Sequence, residues 1–314
     1  MKGAVVAIGN FDGVHRGHQK LLEVTRQIAE GRPWGVLTFE PHPRSFFKPS
    51  EPVFRLTPAH LKARLIAGLG ATFTTVLDFN AELSSLEASE FVARHLGGVA
   101  HVVTGYDFHF GRGRKGNPAA MVEFGKAHGF GVTIVDQVSD AGDIHSPFAS
   151  RSIRQALRHG HMRGAARELG YHWTVMGEVV RGDQRGRALG FPTINIVLEP
   201  GVEPFRGIYA VRVRDAGVKG GSAWLGAGYF GNRPTFDTDR TFLEAYLIDF
   251  DGDLYGRTML VELVDLIRPD KRFNSVEELK TQMRKDCEAA IAVLAQINPL
   301  TDYPLGRRQE EGVL

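Results

Sequence analysis

Two histidines set in a glycine-rich run carry the first chemical signal. The segment Gly9-Asn10-Phe11-Asp12-Gly13-Val14-His15-Arg16-Gly17-His18 follows a short apolar run and opens an amphipathic stretch. A turn feeding a helix start offers backbone N–H groups and the positive end of a dipole, so an anion such as phosphate suits it. It is not a P-loop, since no Gly-Lys-Ser/Thr follows, nor the dinucleotide fingerprint. When an adenylyl group is transferred, negative charge grows on α-phosphate oxygens, and positioned donors such as His15 and His18 meet it better than a strong base. The pair also reads as capping or surface histidines, or as two ligands of a zinc site with no third ligand nearby. Its place after the first strand, behind the Gly-Asn-Phe-Asp-Gly lead, favours phosphate.

Three further stretches sit at expected strand ends or helix starts, on the side where an α/β sheet binds ligands. Thr38-Phe39-Glu40-Pro41-His42-Pro43 contributes Pro41 and His42, and Gly105-Tyr106-Asp107-Phe108-His109-Phe110-Gly111 contributes Gly105, Asp107 and Phe108. Ser150, Ser152 and Arg154 open a later helix. The prolines also read as a rigid turn, and Phe108 and Phe110 as core. In the second half, Gly182 to Asn195 holds Gly182, Arg185, Gly190 and Pro192 in a loop rich in glycine and arginine. Such a loop is either a phosphate cradle or a basic surface turn. Thr193 and Asn195, two apart, are hard oxygen ligands able to reach a Mg²⁺ that bridges phosphates. No histidine follows His172 and the only thiol is Cys287, so a general base here falls to a carboxylate. Glu244, isolated in Phe242-Leu243-Glu244-Ala245-Tyr246, is the candidate; its other reading is a solvent-facing residue of an alternating strand.

The elements that must position these residues follow from periodicity. Apolar runs at 4–8, 35–39, 74–79, 100–105 and 131–136 predict parallel strands buried on both faces. Amphipathic stretches at 17–30, 57–69, 87–97 and 118–128 predict helices between them. Short helices at 150–158 and 162–169 follow. From Trp173 the pattern changes to strands at 174–180, 207–214, 222–230, 241–250 and 257–267, separated by turn signals such as Asp251-Gly252-Asp253, an antiparallel sheet or barrel. Ser275 and Glu278 form a capping box that opens a helix to about Ile297, stopped by Asn298 and Pro299. The expected organisation is an α/β unit over 1–170, a β unit with a C-terminal helix over 171–300, and a solvated tail over 301–314.

Composition bounds the class. With 43% hydrophobic and 24% charged residues in 314, the chain reads as soluble and globular, long enough for two domains. A net charge of +2, from 38 basic against 36 acidic residues, leaves no global basic field for nucleic acid. One cysteine excludes an internal disulfide framework and fits a reducing compartment. The apolar run at Ala4–Ile8 breaks too early for a signal peptide, and no run approaches the roughly 20 residues of a membrane span. A cytoplasmic location is expected, with no membrane partner; a homo-oligomer is compatible with the sequence.

Six ordered motifs resemble the prokaryotic bifunctional riboflavin kinase/FMN adenylyltransferases, or FAD synthetases. They are Gly-Asn-Phe-Asp-Gly-Val-His-x-Gly-His at 9–18, Phe-Glu-Pro-His-Pro at 39–43, Gly-x-Asp-Phe-x-Phe-Gly at 105–111, Gly-Phe-Pro-Thr-x-Asn at 190–195, Gly-x-Arg-Pro-Thr-Phe at 231–236 and Asp-Phe-x-Gly-x-Leu-Tyr-Gly at 249–256. The resemblance implies a nucleotidyltransferase-like α/β domain that adenylylates FMN to FAD with release of pyrophosphate. It implies next a six-stranded antiparallel barrel that phosphorylates riboflavin with ATP and Mg²⁺. Under it, His15 and His18 contact the ATP phosphates, Gly9, Asn10, Phe11, Asp12, Gly17, Pro41, His42, Gly105, Asp107 and Phe108 line the nucleotide and flavin sites, and Ser150, Ser152 and Arg154 face the pyrophosphate. Gly182, Arg185, Gly190, Pro192 and Arg233 line the second site, Thr193 and Asn195 hold Mg²⁺ and ATP, and Glu244 deprotonates the riboflavin 5′-hydroxyl.

Two departures stand out. Where the family has Ile-Ser-Ser-Thr-x-x-Arg, this chain has Phe148-Ala149-Ser150-Arg151-Ser152-Ile153-Arg154. Each lost hydroxyl contact to a charged phosphate is worth about 1.5–3 kcal/mol, with Arg151 or Ser152 as candidate compensation. Ile194 stands where alanine is usual, and in an extended segment its side chain turns away from Thr193 and Asn195. The first departure motivates an alternative: a riboflavin kinase carrying a catalytically weak N-terminal flavin- or nucleotide-binding module. A class I aminoacyl-tRNA synthetase reading of His-x-Gly-His is disfavoured, because no Lys-Met-Ser-Lys-Ser counterpart and no broad basic face accompany it.

Overall fold

The structure, a computed structural model, describes residues 1–139, 148–182, 186, 189–218, 221–231 and 241–297. Its contacts divide the chain into two compact units, Met1–Val53 with Lys62–Ala149, and Phe54–Leu61 with Ser150–Leu314.

The first unit is a five-stranded parallel sheet in the order β3-β2-β1-β4-β5, formed by β1 (Val5–Ile8), β2 (Trp34–Glu40), β3 (Phe73–Asp78), β4 (His101–Gly105) and β5 (Gly131–Val135). Helices α1 (Arg16–Ala29), α2 (Pro43–Phe47), α3 (Ala59–Gly68), α4 (Ala81–Ser85), α5 (Ala88–His95) and α6 (Pro118–His128) connect them. All four residues of β1 are buried, because the central strand is covered on both faces. Burial on both faces fails for β3 and β5, where only intermediate and exposed residues occur. These are the edge strands, with a sheet neighbour on one side only. The core packs Val6, Ile8, Leu37, Phe39 and Val102 from the sheet against Phe91, Val92, Leu96 and Met121 from helices. Phe110 is part of that core and Phe108 packs partly against it, their rings stacked at 5.7 Å, so the core reading of these two aromatics holds in part.

The second unit is a closed antiparallel barrel in the order β10-β7-β6-β11-β8-β9. Its strands are β6 (Thr174–Val180), β7 (Thr193–Leu198), β8 (Gly207–Asp215), β9 (Trp224–Gly231), β10 (Thr241–Leu247) and β11 (Thr258–Pro269). Periodicity alone finds five of these. β7 is the strand it misses, since Thr193-Ile194-Asn195 sits close behind a glycine-rich loop and reads as part of it. Helices α7 (Ser150–Arg158) and α8 (Met162–Leu169) pack against each other in this unit, and α9 (Val276–Gln296) lies on β8, β9 and β11. The capping box reading of α9 is met in part: Ser275 accepts from the Glu278 N–H at 3.1 Å, while the Glu278 carboxylate accepts from the Asn274 N–H. Ala290 and Leu294 of α9 bury against Ala210 and Val264.

Candidate functional sites

In the first unit the motif loop is wound more tightly than its glycines require. Gly13 takes φ +86, and Phe11 and Val14 also take positive φ, 49 and 38. For a β-branched residue such as Val14 this is a costly conformation. It is held because both side chains are fully buried and because Val14 N–H bonds the Phe11 carbonyl at 3.2 Å. The Thr38 hydroxyl of β2 donates to the Asn10 carbonyl at 3.1 Å, and Gly9 N–H donates to the Leu37 carbonyl. The sheet thus fixes the loop from beneath.

The loop delivers His15 to the N-cap of α1 and His18 to its first turn. Their rings stack at 3.8 Å with 27° between planes, and Phe11 lies against His18 at 5.1 Å. Gly17 leaves this stacking uncrowded: a Cβ there would stand a tight 3.2 Å from the His15 ring. No acidic residue occupies the first turn of α1. Burial, the neighbouring His15 and the Lys62 ammonium hold His18 well below the usual histidine pKa. His18 is therefore held neutral and oriented beside His15 at a helix start. Asp12 is also buried in this corner.

The neighbouring motifs gather at the same sheet end. β2 and β4 flank β1, so the segments after them lie beside the loop. The Glu40–Pro41 peptide is cis, Pro41 is exposed, and His42 caps α2 by accepting from Arg44 N–H at 3.1 Å. Gly105 closes β4; a Cβ on it would approach the exposed Asp107 carboxylate at 3.3 Å. Ser150, Ser152 and Arg154 are on α7 in the second unit. There the Ser152 hydroxyl donates to Glu168 at 2.5 Å and Arg154 Nε donates to the Phe54 carbonyl at 2.6 Å. Serving a phosphate would require Ser152 to leave that bond.

In the second unit the barrel register does the assembling. Asn195 of β7 stands directly across from Glu244 of β10, and Thr193 across from Tyr246. Directly opposed residues share a face, so Thr193, Asn195 and Glu244 line one side of the two strands. Ile194 takes the other side, as an extended segment requires. A Cβ on Gly182 would fall 2.4 Å from the Asn195 amide, and one on Gly186 3.3 Å from the Thr193 hydroxyl. Gly182 and Gly186 thus lie close against these two side chains. Gly190 takes φ +85 and Pro192 is exposed. Arg185 and Arg233 lie outside the described residues.

Two participants carried no motif. Tyr229 of β9 opposes Glu244 from the other side and donates to Asp270 at 3.1 Å; burial, then Asp270 and Glu244, raise its pKa. Lys62 of α3 sits beside Glu40 with Nζ 2.6 Å from the carboxylate. Its signal was a lysine flanked by Leu61, Leu65 and Ile66, all fully buried.

Comparison with known proteins agrees with this division. An FAD synthetase family model matches residues 1–147 and a riboflavin kinase model matches 169–294. The bifunctional riboflavin kinase/FMN adenylyltransferase of Escherichia coli K12 is 37% identical and that of Pseudomonas fluorescens 39%, covering 91% and 94% of both chains respectively. A solved Streptococcus pneumoniae chain described as a macrolide-efflux protein superposes with TM-score 0.77 at 31% identity, over 91% of this chain and 92% of that one. Among the described residues here, no helix is long and apolar enough to cross a membrane. By two family models and relatives matched nearly end to end, this chain belongs to the bifunctional riboflavin kinase/FMN adenylyltransferase family.

Proposed function

We propose that the second unit transfers the γ-phosphate of ATP to riboflavin, giving FMN, and that the first transfers an adenylyl group from ATP to FMN, giving FAD and pyrophosphate. The observation that carries this reading is that each unit holds a motif cluster of its own: His15 and His18 stacked at a helix start, Thr193, Asn195 and Glu244 on one strand face.

In the barrel, an alcohol must be made nucleophilic, and Glu244 accepts the 5′-hydroxyl proton as general base. The oxygen donors of Thr193 and Asn195, with Gly182 and Gly186 close against them, fit a hard cation held against phosphates, and these residues would hold Mg²⁺. Bound there, it would neutralise charge on the transferring phosphoryl group. In the α/β unit the FMN phosphate is already anionic and needs no base. His15, His18 and the α1 N-terminus supply donors where α-phosphate charge develops.

The kinase-only alternative is disfavoured, because the FAD synthetase model spans the α/β unit and the relatives named above are bifunctional. The single cysteine, Cys287, fits a reducing cytoplasm. The deciding assay supplies riboflavin, ATP and Mg²⁺ and follows both FMN and FAD, then repeats with FMN as sole flavin. Failure of FAD to form from FMN would remove the adenylyltransferase half of the reading.

A further inference from the structure

Lys62 is the only buried lysine among the described residues, 4% exposed. A cation on the inward face of a helix is costly unless paired, and its partner is Glu40 at 2.6 Å. Replacing a buried ion pair with apolar residues is often neutral or stabilising, so stability alone is a weak reason for this one. Its location is informative instead. Glu40 ends β2 and is followed by Pro41 and His42; its carbonyl accepts from Phe79 N–H at 2.7 Å. The same ammonium acts electrostatically on His18.

We propose that Lys62 is a positioning residue for adenylyl transfer: its buried ammonium, locked onto Glu40, fixes the corner at Glu40–His42 and supplies the positive field in which His15 and His18 meet the ATP phosphates. This rests on the reading of the two histidines as phosphate donors. The charged and titratable groups bearing on His18 are His15 from the start of α1 and Lys62 from α3; Lys62 is paired in turn with Glu40 of β2, Asp12 is buried in the loop that leads into α1, and Phe11 packs its ring alongside His18. Removing the ammonium deletes one of the influences that keep His18 neutral. Removing the Glu40 charge leaves the ammonium uncompensated and strengthens that influence.

The test uses the full chain, measuring FAD formation from FMN and ATP across pH, with FMN formation from riboflavin as the control for folding. Lys62→Met should lower kcat for FAD formation about 10- to 100-fold, change the KM for FMN much less, and move the acid limb to higher pH. Lys62→Arg should recover most of the rate. Glu40→Gln should move the acid limb the opposite way, and it carries the test if Lys62→Met does not fold. Opposite displacements support the proposal, because a purely structural pair does not produce them. Wild-type rates and profiles in both variants, or lost rate with an unmoved limb, overturn it. His18→Ala run in parallel separates the two levels: unaffected FAD formation there sinks the histidine reading itself.

Discussion

The two units build phosphate chemistry in opposite ways. In the α/β unit the side chains proposed to react are neighbours in sequence, compressed into one loop and one helical turn whose backbone takes positive φ at Phe11, Gly13 and Val14. In the barrel they are far apart in sequence and meet because β7 and β10 are paired in the register that sets Asn195 against Glu244. A parallel sheet offers chemistry at its strand ends, where helix dipoles point; an antiparallel ladder sets side chains from distant segments directly opposite one another. The charge logic differs too. A neutral His18 beside a buried lysine suits an anionic nucleophile, whereas a carboxylate suits an alcohol that must lose a proton.

That contrast breaks most readily at its bases. Glu244→Gln should lower FMN formation by about 10²–10⁴ while FAD formation from added FMN stays near wild type; equal loss of both in a variant that keeps the wild-type melting midpoint would end the separate-site picture. His18→Ala should do the converse, lowering FAD formation about 10²–10³ with riboflavin phosphorylation unchanged in the same preparation.

A pH titration of stability sharpens the difference between a functional and a buried histidine. His172 is 5% exposed and neither ring nitrogen has a hydrogen-bond partner; burial, with the Arg212 guanidinium nearby, brings its pKa down to about 4. Unfolded histidine titrates near 6.5. The folded state therefore keeps its full stability above that pH and loses it as pH falls toward 4, by roughly 3 kcal/mol in total. Denaturant unfolding of His172→Phe between pH 7 and 4 should show a shallower decline than wild type, and an unchanged slope would reject this assignment.

Smaller effects probe the supports. Gly182→Ala places a Cβ against the Asn195 amide and should lower riboflavin phosphorylation roughly tenfold with a raised Mg²⁺ requirement, leaving FAD formation intact. Ser152→Ala should cost about 1.5–3 kcal/mol of stability, read as a shifted melting midpoint, because its hydroxyl already serves the Glu168 carboxylate. A large loss of FAD formation would instead put Ser152 at the phosphate.

Motif residues and most elements were legible in the sequence because their causes are local. Glycine spacing at 9–17 announces a tight turn before a helix, and the apolar periods mark the inner strands and α1, α6 and α9. β7 was missed because its alternation starts directly after a turn-rich loop. The exposure of β3 and β5 was missed because an edge position depends on strand order.

What the sequence determined by itself is the two-part architecture, the His-x-Gly-His corner and the candidacy of Thr193, Asn195 and Glu244, each encoded in short-range patterns of glycine, polarity and charge. Only the tertiary structure decided that Asn195 faces Glu244, that Tyr229 flanks it, that Ser152 is committed to Glu168, and that Lys62 reaches Glu40. Register, and the choice of partner for a buried charge, are settled between segments distant in the chain, where local propensity carries no information.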